Sequence, residues 1–460
     1  MRYLDGQILF SLIIALVLTW IASLLISRRY AAQVLKFMQA GTAPSDPLGS
    51  ADAQPSAPFS RVSTATTQSA DLNKQNRQAR SRLLIVVICL SWLFASFIAV
   101  IAQLAYVDEG FGWRRFFILT VVYAWPWIPG LGLLQYWSRW KITGWLLVYF
   151  LSSTWLVLVN SNQNQTLSDV MPWLLVETMP TLLYVFLITS PILRTTAPYF
   201  MPVFFLLGVC SHVGLEVLVQ QIQKGVTGWM AELLAISNSY SVFALFAIIP
   251  WIPGLFAVRF LAARLAKAYQ RKAFSEPLYL IAGLWQIVLL FQAMMLSHSL
   301  GNMAYLVLVP LVLFPLINRW LKKLLSPGHR APTLLLLRVF RTDHAIEDLF
   351  DQVVERWRYS GNTLLIAGKD LALRNLEPDE LFAFLSGHLR ERFIDNDQKL
   401  QQAIADLDLS ADADGRFRVN EFFCFDSTWK QVLDNLVHKA DRVLMDLRAY
   451  TPERQGCNHE

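Results

Sequence analysis

The chain has 460 residues, 55% of them hydrophobic and only 16% charged, with a formal net charge of +6. A soluble globular protein of this size carries roughly 25% charged residues, so a wholly water-soluble fold is excluded. A nucleic-acid surface is excluded as well, because the excess Lys and Arg sit beside apolar runs, where basic residues set membrane topology.

Apolar runs fill the chain as far as about residue 321, and a bilayer core takes roughly 20 such residues per helix. Nine spans are expected, at about 7–27, 83–106, 116–137, 142–160, 171–193, 198–220, 241–262, 278–297 and 302–318. The first lacks a basic start and a small-x-small cleavage site, so it reads as a retained anchor rather than a signal peptide. The partner of this part is the lipid bilayer.

Basic residues alternate between loops. Arg28, Arg29, Lys36, Arg61, Lys74, Arg77, Arg80, Arg82, Arg139, Lys141, Arg194, Arg264, Lys267, Arg271, Lys272, Arg319, Lys322 and Lys323 fall on one side, and Arg2, Arg114, Arg115 and Lys224 on the other. By the positive-inside rule the N-terminus is outside and the C-terminal part cytoplasmic, in a bacterial-type inner membrane. The expected units are an anchor helix (1–37), a disordered cytoplasmic linker rich in Ala, Ser, Thr and Gln (38–82), two membrane repeats (83–197 and 198–324) and an α/β domain (325–460).

The repeats are suggested by a duplicated hexapeptide. Pro126-Trp127-Ile128-Pro129-Gly130-Leu131 recurs as Pro250-Trp251-Ile252-Pro253-Gly254-Leu255. Two prolines three apart remove backbone donors and kink a helix. With four spans in each half, the two would be parallel four-helix repeats. Each motif is a structural kink or, in the alternative, the broken-helix ligand site of a transporter.

Ionisable residues within spans are candidates for ligand binding: Glu177 in the fifth, and His212 and Glu216 one turn apart in the sixth. The alternative is that the carboxylates lie near the hydrated interface. The four cysteines, Cys89, Cys210, Cys424 and Cys457, show no metal-ligand spacing and no disulfide framework.

After about residue 325 strands and helices alternate. Strands are expected to begin near Leu334, Thr363, Arg418 and Val443, with helices over 347–359, 377–393 and 427–440. That order argues for a parallel sheet with ligands at the carboxyl ends of its strands, where Asp446 and Arg448 fall. Ser410, Asp412, Asp414, Gly415 and Glu421 match calcium-loop spacing, but Arg416 and Arg418 inside the loop favour a simple Asp-Gly turn. His388 and Glu391 lack the second histidine of a zinc-protease helix. No metal site is expected.

A strand, a polar turn and then Gly456-Cys457-Asn458-His459-Glu460 resemble the Trp-Cys-x-x-Glu region of Toll/interleukin-1 receptor (TIR) domains, and the order of elements before it fits the start of their flavodoxin-like fold. The same roughly 125 C-terminal residues resemble domains of bacterial multipass proteins in four blocks: Arg338-Val339-Phe340, Phe422-Phe423-Cys424, Met445-Asp446-Leu447-Arg448, and Gly456-Cys457 followed by Glu460. The resemblance implies NAD as substrate, with Glu460 as the carboxylate that cleaves the nicotinamide–ribose bond and Cys457 beside it. Gly456 replaces the family's Trp, and the last strand and helix of the fold would lie beyond residue 460, which argues against catalysis. The residues themselves ask for no cofactor. The whole reads as an α-helical multipass bundle with a TIR-like α/β domain that senses or scaffolds, meets a cytosolic protein through its tail and forms homo-oligomers. A transporter with a regulatory tail is the alternative, and an NAD-cleaving effector the third reading.

Overall fold

The computed structural model describes residues 2–39, 65–104, 110–135, 137–160, 167–190, 193–225, 228–249, 251–325, 331–338, 353–367, 376–407, 409–412, 414–425 and 427–446. The membrane part is helical: α1 Arg2–Gln39, α2 Ala65–Gln103, α3 Trp113–Tyr123, α4 Trp127–Leu134, α5 Arg139–Asn160, α6 Leu167–Ile188, α7 Ala197–Gln223, α8 Trp229–Ile236, α9 Ser239–Ile248, α10 Trp251–Gln270, α11 Glu276–Leu300 and α12 Val309–Leu325. A 3-10 helix, Gly301–Leu308, leads into α12. Among the described residues six segments are long and apolar enough to cross a membrane: Ser11–Gln39, Arg80–Gln103, Trp113–Leu134, Arg139–Asn160, Glu276–Ser297 and Gly301–Leu321.

Both hexapeptides start a new helix. The α3 helix ends at Tyr123 and α4 begins at Trp127; α9 ends at Ile248 and α10 begins at Trp251. Each broken helix packs on a long neighbour, α2 in the first copy and α7 in the second. The motif glycines sit at equivalent contacts. A Cβ on Gly130 would meet Val87 of α2 at 3.5 Å, and one on Gly254 would meet Leu207 of α7 at 2.6 Å.

The C-terminal part is an α/β unit: β1 Thr333–Arg338, β2 Asn362–Ile366, α13 Pro378–Ser386, β3 Phe393–Ile394, α14 Asp397–Ala405, β4 Val419–Cys424, α15 Trp429–Lys439 and β5 Arg442–Asp446. All strand pairs are parallel, in the order β3-β4-β2-β1-β5. The four expected strand starts lie within one residue of those observed.

Several expectations need correction. The flavodoxin-like order is 2-1-3-4-5, with the first strand between the second and third. Here β1 lies between β2 and β5. The helix expected over 377–393 ends at Gly387, whose φ of 84° closes it in the left-handed conformation, and β3 and α14 follow. The β5 strand, expected to be buried, is an edge strand whose Val443 and Met445 are exposed. The helix expected over 347–359 is described only from 353, where a helical turn covers Glu355–Trp357.

The linker needs correction too. Residues 65–82 belong to α2, whose run of Ala, Leu, Lys, Gln and Arg favours helix, while 40–64 lie outside the described residues. Nor is the first helix a separable anchor. The α1 helix packs along α7 and continues past the length a bilayer requires; 38 residues at 1.5 Å each far exceed a roughly 30 Å hydrocarbon core. Tyr30, Val34 and Met38, four residues apart, form one face of that extension.

That face completes the sheet, because a parallel sheet must be covered on both sides. One side, with Leu335, Leu364, Phe422 and Cys424, is closed by Leu400 of α14 and by Val432 and Leu436 of α15. On the other, Leu336, Leu365 and Val419 meet Val354, and Ala367, Phe423 and Phe425 meet Tyr30, Val34 and Met38 of α1. The α/β unit thus takes part of its second layer from a helix that begins in the membrane part.

Candidate functional site: a buried charged seam

The junction between bundle and sheet concentrates the buried charge of the described residues. It is built around α13. Glu377 caps this helix, its side chain accepting from the Glu380 backbone while Glu380 accepts from the Glu377 backbone; Pro378 fills the first helical position. The apolar residues of α13 enter the bundle. Leu381 and Phe382 are fully buried, and the Phe382 ring lies edge-on to Tyr199 of α7 at 5.4 Å and to Tyr279 of α11 at 5.8 Å. The same helix packs along α10.

Three carboxylates open α13, and each is held differently. Tyr30 of α1 donates its hydroxyl to Glu380 at 2.8 Å. Arg392 pairs with Asp379 at 2.5 Å. Burial, then Asp379 and Glu380, push Glu377 well above the usual carboxylate range. Burial likewise pushes Glu380 up to about 7, against the pull of Arg392.

A second group clamps the turn between α10 and α11. Arg418 donates to Asp412 at 2.9 and 3.0 Å and to the Phe274 carbonyl at 3.3 Å, and its guanidinium lies 3.9 Å over the Tyr269 ring. Lys272 of that turn, in the left-handed region at φ 52°, donates to the Ser410 carbonyl and hydroxyl. Beside it Arg416 pairs with Asp414 at 2.9 Å and with Glu355 at 3.4 Å. Glu355 also pairs with Arg358 at 2.8 Å. Burial, then Asp412, raise Asp414 to about 7. Arg80 of α2 lies 5.4 Å over the Tyr359 ring. The calcium-loop spacing is therefore spent on two Asp–Arg pairs, and among the described residues no group of three metal-ligating side chains gathers.

The sequence-derived site residues fare differently. Glu177 lies on α6, and His212 and Glu216 lie one turn apart on α7; these helices pack together, but the three side chains fall outside the described residues. Asp446 ends β5, at the carboxyl edge of the sheet, with its side chain likewise outside. Arg448, Cys457 and Glu460 lie wholly outside the described residues. The seam itself went unread. Its signal was present in Asp412-x-Asp414 followed by Arg416-x-Arg418, where like charges two apart face opposite charges two apart. Glu377, Asp379 and Glu380 show in the sequence only as the acidic start of a helix.

The acids of the seam are tied to arginines, to a tyrosine or to the backbone, and these ties hold the sheet unit against the bundle. Neither a scan of protein-family models nor comparisons with curated proteins and with solved structures finds a match to this chain.

Proposed function

We propose that the chain is a nine-span inner-membrane sensor, N-terminus outside, whose bundle passes its state to the cytoplasmic α/β unit through the seam, and that this unit acts by binding a cytosolic protein. The observation that carries this reading is the interlock: α1 covers the sheet, and α13 is buried between α7, α10 and α11. Movement of any of these helices changes what the sheet rests on. Three helices beyond the six long apolar ones support nine crossings: α6, α7, and α9 with α10. The tail meets the end of α1, the Arg80 region of α2 and the α10–α11 turn, all assigned to one side by loop charge.

Hydrogen exchange on the full chain in vesicles tests the reading. Glu216→Gln or His212→Ala in α7 should change exchange in residues 378–386, some distance along the chain and in another unit. Unchanged exchange there, together with solute uptake by the vesicles, would favour a transporter. That second reading draws on the two broken helices, a feature of transporter sites.

The TIR-like relationship and NAD cleavage by Glu460 rest on the sequence blocks alone. A parallel sheet suits them; the strand order does not. Loss of NAD with the purified full chain, abolished by Glu460→Ala, would restore that third reading.

A further inference from the structure

We propose that one face of α2 is a binding surface for anionic phospholipid headgroups. Ile85, Cys89, Leu93 and Val100 are exposed on one stripe of α2, with Ile85 at 60% and Leu93 at 61%, so this face looks into lipid. Followed back toward the start of the helix, the same stripe becomes Arg82, Gln78 and Lys74, with Arg77 and Ser81 flanking it; all five are exposed and line one groove with Ile85. The helix is unbroken between the two parts, and 3.6 residues per turn keep them in line. Arg80 points the other way, to Tyr359 and the Leu134 carbonyl. The basic residues therefore divide, one serving the protein and three facing outward. Among the described residues Lys74, Arg77 and Arg82 pair with no carboxylate.

What lies against this stripe follows from its continuity. The apolar part contacts acyl chains, so the next layer along the same face is the headgroup layer of those lipids. Headgroups occupy roughly 5–7 Å on each side of the hydrocarbon. At 1.5 Å per residue, with Arg82 at the boundary, Arg77 lies about 7.5 Å beyond it, at the outer edge of the headgroup layer, and Lys74 about 12 Å beyond it. Arg82 and, by the length of its side chain, Arg77 are within reach of the phosphate layer. Lys74 acts across most of a Debye length of about 8 Å. Charge complementarity selects an anionic lipid, and a juxtamembrane cation contributes a roughly fivefold preference for an anionic surface. The surface is independent of the sensing reading and stands whichever way the chain is oriented.

The test uses the full chain reconstituted into vesicles of equal phosphatidylcholine and phosphatidylglycerol, with retained lipids counted by native mass spectrometry. The wild type should retain phosphatidylglycerol in preference. Arg82→Gln and Arg77→Gln should each reduce that preference about fivefold, and Lys74→Gln less. All three side chains are exposed, so the variants keep the fold, which circular dichroism checks. An equal preference in the Arg82→Gln and Arg77→Gln proteins would overturn the proposal, as would no preference in the wild type. Displacement of the lipid by glycerophosphoglycerol, the headgroup without chains, would make this a soluble-anion site and also overturn it.

Discussion

The same six residues sit in two different settings. In the first copy Ile128 and Leu131 are 2% and 8% exposed, and α4 is packed among α2, α5 and α11. In the second, Ile252 and Leu255 are 53% and 59% exposed, and α10 packs on α7 and on α13 of the tail. The hexapeptide dictates what is local: a helix that ends before the Trp, a new one that starts at it, and a glycine against the neighbouring helix. It does not dictate burial, which depends on what else packs there. The first break is enclosed by the bundle, while the second lies at its edge and carries the tail. A duplicated motif has thus yielded one unit enclosed by the bundle and one at its edge, against the tail.

The largest expected effect comes from detaching the second copy. Phe382→Ala removes a fully buried ring between Tyr199 and Tyr279 and should cost about 3–5 kcal/mol of docking. Hydrogen exchange should rise along α10 and α13 and stay unchanged along α4. Equal loosening of α4 would show that the copies are not mechanically distinct. Next comes the contrast in burial. Ile128→Ala should cost about 2–5 kcal/mol. Ile252→Ala should stay within about 0.5 kcal/mol, because lipid surrounds the shorter side chain as readily. Similar losses of thermal stability in the two variants would mean that the second copy is covered after all.

How far the sequence revealed this arrangement depends on the range of the interaction. The strands of the α/β unit were legible because each is a short apolar run bounded by turns, and the hexapeptide break was legible from two prolines. Topological order was not, since the place of β5 beside β1 depends on contacts about a hundred residues apart. The role of α1 was missed for a similar reason. Tyr30, Val34 and Met38 show a four-residue spacing, yet nothing local says that their partner is a sheet more than 300 residues later. Lys272 and Arg418 likewise looked like topology markers and loop charges until packing brought the α10–α11 turn against the Asp412 loop. The sites expected at Glu177, His212 and Glu216 were found by their cost in lipid, a criterion that cannot find charge buried between two units.

Protonation offers a smaller, graded way to sharpen the contrast. Glu380 has its pKa raised from an ordinary 4.5 to about 7 in the docked state. Between those values the docked form holds more protons, so docking weakens as pH rises through that window and levels off above about 7. Exchange in α13, corrected for intrinsic rates, should therefore be slower at pH 5 than at pH 8. Glu380→Gln should flatten part of this dependence and leave the part due to Glu377 and Asp414. A dependence that runs the other way would mean that Glu380 is charged and stabilised when docked, and that Arg392 and the Tyr30 hydroxyl together outweigh its burial.

The smallest effect isolates the motif itself. In the second copy the Trp251 indole donates to Ser211 Oγ at 2.6 Å, and Ser211 donates to the Ala247 carbonyl at 2.7 Å, just before the break. Ser211 lies one turn past Leu207, the residue that Gly254 faces. In the first copy the residue one turn past Val87 is Ser91, whose hydroxyl is buried without a hydrogen-bond partner among the described residues. Ser211→Ala should leave the indole and a carbonyl short of a partner and cost about 0.5–1.5 kcal/mol. Ser91→Ala, which removes a buried unpaired hydroxyl, should be neutral or slightly stabilising. The two are compared by thermal unfolding in one detergent, with Trp fluorescence reporting the change at Trp251. Equal losses would place Ser91 in a bond like that of Ser211 and make the two breaks alike in their polar contacts. A loss confined to Ser211→Ala would show that the edge copy holds its broken helix by a hydrogen-bond chain, where the enclosed copy relies on packing.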